Sequence, residues 1–159
     1  MDNGNANQLE DKKAIDILVW DFFKLFLVPV GIKADLSAIY RLFIPQGIII
    51  KNVGPQPEIY TLQQVIEPRE KLFDSGTLKD FVEEELFERT DIFGNIAQRF
   101  CLYKKWGLMN DIFSQAYEMK SLQFVKTASG WKLSSLIWDD EREGLAILED
   151  MKTSARQDG

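Results

Sequence analysis

The change of hydrophobic period near residue 78 constrains the fold more than any other feature of the sequence. Before this point apolar residues recur every three or four positions, as on one face of a helix, and after it they alternate with polar ones. The alternation predicts four strands, at about 79–91, 95–106, 118–126 and 131–138. Segment 107–117 is predicted to be a longer loop. Short connections between the other strands indicate an antiparallel meander.

The first half of the chain predicts one long helix and two short ones. The long helix follows Asp11 as N-cap and ends before Pro29. A short helix follows Asp35, and a β-branched strand covers Gly47–Lys51. A third helix begins after Thr61, where the pattern T-x-x-Q has the form of a capping box, and Pro68 is expected to bend or interrupt it.

These elements predict an α+β fold, a curved and mostly antiparallel sheet with helices gathered on one face. Residues 1–10 are predicted to be a disordered head, 11–148 a single domain and 149–159 a flexible tail, because both ends are poor in large apolar residues. Both faces of the strands are partly apolar. One face is covered by the helices, and an identical sheet across a two-fold axis would cover the other, so we expect a homodimer through the sheet.

Composition excludes several classes of function. A net charge of −6 with no basic patch argues against nucleic acid and membrane partners. The absence of histidine removes histidine-dependent nucleophiles and His-ligated zinc, and the acidic runs lack the spacing of a calcium loop. We therefore expect no metal and no cofactor. No apolar run reaches the ~20 residues that span a bilayer, so the predicted location is the cytoplasm.

The candidate chemistry lies on the strands. Glu83 and Glu85 share one strand face, and a partly buried pair of carboxylates would raise at least one pKa into a range useful for a general base. They also belong to a run of glutamates that could simply be a solvated face. Tyr40 could donate a hydrogen bond to a ligand or belong to the core. Trp131 and Trp138 have opposite parity, so one is predicted to fill the core and the other to meet a neighbouring surface.

Four segments carry a resemblance to a known superfamily: FVEEEL, ERTDIFGNIAQRFCLYKKW, MKSLQF and GWKLSSLIWDDER. They resemble the nuclear transport factor 2-like, or SnoaL-like, proteins, and in particular a bacterial group with FGNIA and W-D-x-E-R motifs. The resemblance spans about Ala14 to Glu143. It implies a cone-shaped fold in which the sheet wraps around the long helix and leaves an open pocket. Where the bacterial pattern has histidine after N-I-A, this chain has Gln98, which cannot titrate.

The resemblance leaves the function open between two classes. In one, the chain holds a small apolar or carbonyl-containing ligand. In the other, it is a cofactorless isomerase, dehydratase or cyclase with Glu83, Glu85 or Tyr40 as catalytic candidates. The residues expected to line the pocket under the long helix are Glu83, Glu85, Gln98, Ser121, Gln123 and Trp138.

Overall fold

The computed structural model describes residues 3–147 and 149–152. The elements are α1 (Asn3–Lys24), α2 (Ile39–Leu42), β1 (Phe43–Lys51), β2 (Glu58–Thr61), α3 (Leu62–Asp74), β3 (Leu78–Phe93), β4 (Ile96–Met109), β5 (Ile112–Thr127) and β6 (Gly130–Asp140). One six-stranded sheet has the order β2-β1-β6-β5-β4-β3. Its neighbours are antiparallel except for β1 and β6, which are parallel. The predicted α+β class, with an open curved sheet and a long N-terminal helix, is confirmed.

The long helix begins earlier than predicted. It starts at Asn3, and residues 3–10 are helical rather than disordered, because extending an already packed helix by a few residues costs little. Asp11 is therefore inside α1 and not its N-cap. Its carboxylate accepts hydrogen bonds from Trp131 Nε1 and Lys126 Nζ, both at 2.9 Å, which tie the helix to the sheet.

The C-terminal end also differs from its prediction. Residues 149–152 are helical, although the flexible tail was expected to start at residue 149. Lys152 Nζ lies 2.8 Å from Glu141 Oε2, so this short helical segment is anchored near the end of β6. Residues 1, 2 and 153–159, which belong to the predicted head and tail, lie outside the described residues.

The predicted loop at 107–117 is instead the junction of two long strands. Met109 pairs with Ile112, so only Asn110 and Asp111 connect β4 to β5. Both have positive φ, 51° and 63°, a conformation that Asn and Asp tolerate and that a two-residue hairpin requires. The strands extend to this turn because its chemistry permits a tight reversal.

The capping box at Thr61 is confirmed, with Thr61 and Gln64 each bonding to the other's backbone. Pro68 lies inside α3 without ending it. A proline removes only one helical hydrogen bond, and Phe73, which is buried after it, holds the last turn against the core. The core lies between α1 and the inner face of the sheet, the face that α1 covers.

Two of the bulges in the sheet change which of the predicted residues share the inner face. One falls between Gln123 and Phe124 in the β5–β6 pairing, so one residue of β6 is skipped. Trp131 and Trp138 consequently both face inward, and their predicted opposite orientation is wrong. The other bulge, between Glu85 and Phe87, brings Glu88 to the face that holds Glu85.

Candidate functional site

A cavity of about 460 Å³ lies between the inner face of the sheet, α1 and α3. Most of its wall is apolar, as in sites for small organic molecules. The apolar wall includes Phe22, Phe23, Phe26, Ile49, Val65, Pro68, Leu72, Phe81 and Leu136. The rest of the lining includes polar and charged side chains: Lys51, Tyr60, Gln64, Arg69, Glu83, Lys105, Ser114, Gln115, Glu118 and Lys120.

Strand alternation places the charged lining residues together. Glu83 pairs with Lys105 across β3 and β4, and Lys120 pairs with Trp138 across β5 and β6. Glu118 is two residues before Lys120, so its side chain is on the same inner face. All five line the cavity.

Lys120 is the centre of the charged group. Its side chain is 4% exposed, and its Nζ lies 3.1 Å from Glu83 Oε1 and 2.6 Å from Glu118 Oε1. The same ammonium lies 4.9 Å from the ring centre of Phe23, 5.1 Å from that of Tyr103 and 5.4 Å from that of Trp138. Burial alone would lower the pKa of Lys120, but the two carboxylates outweigh it and raise that pKa.

The charges continue from the cavity toward the end of β6. Glu118 Oε2 accepts a hydrogen bond from Lys105 Nζ at 3.0 Å, and Lys105 Nζ lies 3.1 Å from Asp140 Oδ1. Glu83, Lys120, Glu118, Lys105 and Asp140 thus form a row of alternating charges. Each buried charge has an opposite neighbour, which is the condition for keeping it ionised away from water.

The two carboxyl groups beside Lys120 differ in their ionisation. Burial raises the pKa of Glu83 to about 7, and the nearby charge of Glu118 adds to the increase although Lys120 opposes it. Burial would also raise the pKa of Glu118, but Lys120 and Lys105 together hold it well below its usual range. The neighbouring cations therefore favour the ionised form of Glu118, whereas burial favours the protonated form of Glu83.

Trp138 Nε1 adds a second unusual feature at this end of the cavity. Among the described residues it is buried and has no hydrogen-bond partner. Leaving a buried donor unpaired costs about 1–3 kcal/mol. Trp138 is held here by its contacts with the core and with Lys120 rather than by its polar atom.

Glu85, the second predicted catalytic carboxylate, does not line the cavity. It accepts hydrogen bonds from two nitrogens of Arg99 and one from the Tyr103 hydroxyl at 3.1 Å. Arg99 Nη1 also donates to Asp16 Oδ1 of α1 at 2.6 Å. We call Glu85, Arg99, Asp16, Glu88 and Lys12 the Arg99 cluster, which α1 covers.

Three other predicted pocket residues lie on the outer face of the sheet. Gln98, Ser121 and Gln123 are exposed there because each is one position out of phase with an inward residue. Gln98 Nε2 donates to Asp91 Oδ2 at 3.2 Å, and Gln123 Oε1 accepts from Ser135 Oγ at 3.3 Å. The expectation that they line the cavity under α1 is wrong.

Tyr40 is 52% exposed and is not among the residues that line the cavity. Of the predicted residues, the structure brings together Glu83 and Trp138 at the cavity. Glu118, Lys120 and Lys105 line the cavity without having been predicted from the sequence. Their signal is parity: Glu118 and Lys120 continue the inward face that Leu122 and Phe124 define, and polar residues on an apolar face indicate a buried polar site.

Within residues 3–147 and 149–152 no group of three or more Cys, Asp or Glu is arranged to hold a metal ion. No helix in these ranges is long and apolar enough to cross a membrane.

Solved structures with the same arrangement of elements place this fold among known ones. A nuclear transport factor 2-like protein with a cystatin-like fold from Novosphingobium aromaticivorans matches 91% of this chain and 94% of its own, with 16% identity and a TM-score of 0.64. A nuclear transport factor 2-like superfamily protein from Salmonella enterica matches 85% of this chain and 94% of its own, with 15% identity and a TM-score of 0.69. The chain has the nuclear transport factor 2-like fold. No protein-family model and no curated protein matches the sequence.

A third similar structure of this fold is a candidate scytalone dehydratase from Novosphingobium aromaticivorans. It covers 87% of this chain and 89% of its own length, with 11% identity and a TM-score of 0.68. At sequence identities of 11–16% the similarity shows a shared fold and nothing more. Because this fold hosts many activities, the chemistry of this chain has to be derived from its cavity.

Proposed function

We propose that the chain binds a small, largely apolar molecule in the cavity, with a carbonyl or hydroxyl group of that molecule hydrogen-bonded to Glu83. The observation that carries the proposal is an apolar cavity of about 460 Å³ with a carboxyl group of pKa about 7 in its wall. A carboxyl group near half protonation can donate to a carbonyl or accept from a hydroxyl. The apolar wall supplies affinity, and Glu83 supplies orientation.

Fluorescence of the neutral dye phenylnaphthylamine tests the binding. We expect its emission to rise and shift to the blue with the wild-type protein, because the dye leaves water for an apolar site. Replacing Ala116, which lines the cavity, by Phe fills part of the space and should abolish the signal. Ala128→Phe adds the same ring at an exposed turn residue and is the matched control.

A wild-type protein that leaves the dye emission unchanged would contradict the proposal. So would equal binding by wild type and Ala116→Phe, since the dye would then occupy another apolar surface. Circular dichroism of each variant checks that the fold is retained.

A second candidate function, cofactorless acid–base catalysis, is favoured by the ionisation of Glu83. A base with a pKa near the working pH combines a usable unprotonated fraction with a useful basicity. Lys120, 3.1 Å from Glu83 Oε1, would stabilise the carboxylate after it gives up a proton. The reaction class would be proton transfer next to a carbonyl, as in an isomerisation or dehydration, with Glu83 as the base.

Proton exchange in heavy water tests this second function. We expect the protein to speed exchange of the α-protons of tetralone, a bicyclic ketone, with a rise in rate as pH passes about 7. Glu83→Gln should remove the acceleration. Glu84→Gln, on the neighbouring and exposed residue, should retain it. Equal rates for the two variants would reject Glu83 as the base.

We also propose that the chain forms a homodimer through the outer face of the sheet. Phe100 pairs with Ser121, and Ser121 pairs with Ile137, so two apolar side chains lie on one line across three strands. They are 50% and 38% exposed. Ile96, 59% exposed, lies on the same face of β4 four residues before Phe100.

Sedimentation equilibrium of the wild type and Phe100→Lys tests the dimer. The wild type should sediment at twice 18.4 kDa and the variant at 18.4 kDa. Lys104→Glu, on the same strand, controls for a change of charge. A wild-type species of 18.4 kDa at micromolar concentration would reject the dimer.

A further inference from the structure

The charge lining the cavity is opposite in sign to the charge of the whole chain. The lining includes Lys51, Arg69, Lys105 and Lys120 but only two carboxylates, Glu83 and Glu118, whereas the chain carries a net charge of −6. A local excess of one sign in a low-dielectric recess raises the affinity for ligands of the other sign.

Two of these four cations already have partners. Lys120 is paired with Glu83 and Glu118, and Lys105 with Glu118 and Asp140. Arg69 and Lys51 have no carboxylate within 4.0 Å among the described residues. The excess positive charge therefore belongs to these two side chains.

The nearby acidic residues are engaged elsewhere. Glu58, opposite Lys51 in the β1–β2 pairing, accepts a hydrogen bond from the Tyr60 hydroxyl at 3.0 Å. Glu67 accepts one from Gln63 Nε2 at 3.3 Å. Neither carboxylate forms an ion pair with Arg69 or Lys51 within the described residues, so both cationic groups are available to a ligand.

Arg69 is held over the cavity by an aromatic ring. Its guanidinium carbon lies 5.8 Å from the ring centre of Phe26, another lining residue. Its charge opposes the raised pKa of both Glu83 and Tyr60, two other residues that line the cavity. Lys51 pairs with Trp138 across β1 and β6, and its side chain lines the cavity while remaining exposed to solvent.

We infer that the ligand is an amphipathic anion, whose apolar body fills the cavity and whose carboxylate or other acidic group is bound by Arg69 and Lys51. This inference rests on the proposed function. An arginine matches a planar carboxylate with two parallel hydrogen bonds.

A pair of dyes that differ by one sulfonate tests the inference. Phenylnaphthylamine is neutral, and anilinonaphthalenesulfonate has the same rings with an anionic group. We expect Arg69→Gln to weaken sulfonate binding by about tenfold, the loss of one partly buried ion pair, and to change binding of the neutral dye by less than about twofold. Lys51→Gln should act in the same direction, and the double variant should lose more than either.

Three controls separate charge at the site from other effects. Arg69→Lys keeps the charge and should recover most of the sulfonate affinity. Arg89→Gln removes a positive charge from a side chain that is 72% exposed and outside the cavity lining, and should change neither dye. Added salt should weaken the sulfonate and spare the neutral dye.

The outcomes distinguish this inference from the proposed function. If Arg69→Gln and Lys51→Gln leave sulfonate binding unchanged, or weaken both dyes equally, the anionic ligand is rejected while the binding cavity stands. If Ala116→Phe leaves the binding of both dyes intact, neither dye occupies the cavity, and the proposed function and this inference fail together.

Discussion

The inner face of the sheet carries two buried cations, Arg99 and Lys120, whose surroundings differ. Arg99 and Lys120 are each 4% exposed, and each is paired with at least two carboxylates. Both clusters include residues of β3 and of β4. The Arg99 cluster is covered by α1, whereas the group around Lys120 lines a cavity of about 460 Å³.

The difference comes from what α1 presents at each level. Near its middle α1 contributes Lys12 and Asp16, whose charged groups complete the Arg99 cluster. At its C-terminal end it contributes Phe22 and Phe23, and Phe26 follows just after it; these rings face the cavity without hydrogen-bonding capacity. Glu83, the carboxyl group on the cavity side, therefore has a raised pKa and open space beside it. This is the combination expected of a functional group rather than a structural one.

The largest effect on the free energy of unfolding is expected for Arg99→Met. Removing Arg99 leaves Glu85, Asp16 and Glu88 beside a methionine, and breaking a buried ion pair from one side costs about 3–5 kcal/mol. We expect a loss of that order in the free energy of unfolding, measured by urea denaturation. Dye binding in the cavity should persist wherever the variant remains folded.

Arg89→Met is the matched control, because Arg89 is on β3 with its side chain 72% exposed and its pair with Asp91 spans 3.7 Å. Arg89→Met should lower the free energy of unfolding by less than about 1 kcal/mol. A folded Arg99→Met variant that no longer binds dye would contradict the separation of the two clusters.

A smaller effect, dependent on pH, is expected for Glu83→Gln. A carboxyl group whose pKa is higher in the folded chain than its usual 4.5 stabilises the fold at low pH, and that contribution is lost as pH rises through about 7. Between pH 4.5 and about pH 7 this group lowers the free energy of unfolding by at most about 3 kcal/mol. The variant lacks this titration, so it should gain stability relative to the wild type as pH rises.

Urea denaturation at about pH 5 and about pH 8 measures that difference, and Glu84→Gln is the control because Glu84 is exposed. The control should differ from the wild type by the same amount at both values. A stability difference between Glu83→Gln and the wild type that stays constant with pH would show that Glu83 titrates normally.

The fold could be predicted from the sequence because its signals are local. The capping box at Thr61 and the alternation of the last four strands both appear in the structure. The hairpin at Asn110–Asp111 was missed because it has no glycine, although both residue types tolerate positive φ.

The site could be predicted only in part because bulges and register are not local. Glu83 was found from its neighbours on one strand, but Lys120 is far away in sequence and meets it only through the register of β3, β4 and β5. The skipped residue in β6 reversed the expected orientation of one tryptophan. Gln98 was placed in the pocket by resemblance, and its parity on β4 excludes it.

The smallest expected effect tests whether the Arg99 cluster depends on its central cation or on the whole set of charges. Lys12 Nζ lies 2.8 Å from Asp16 Oδ1 and 2.8 Å from Glu88 Oε1, but its side chain is 32% exposed. Arg99 also pairs with both carboxylates, at 2.6 Å and 3.8 Å, and should keep these pairs when Lys12 is replaced. Lys12→Gln should therefore cost about 0.5–1 kcal/mol in urea denaturation, the range of partly exposed pairs.

Lys24→Gln is the control on the same helix, because Lys24 is 51% exposed and, in the part of the chain that the structure describes, pairs only with Asp21, at 3.0 Å. It should cost less than Lys12→Gln. If Lys12→Gln instead costs as much as Arg99→Met, the charges act as one cooperative network, and coverage by α1 rather than Arg99 itself holds the cluster together. In that case the covering by α1 would be what distinguishes the Arg99 cluster from the cavity. Replacing Asp16 by an apolar residue should then lower the free energy of unfolding as much as Arg99→Met does.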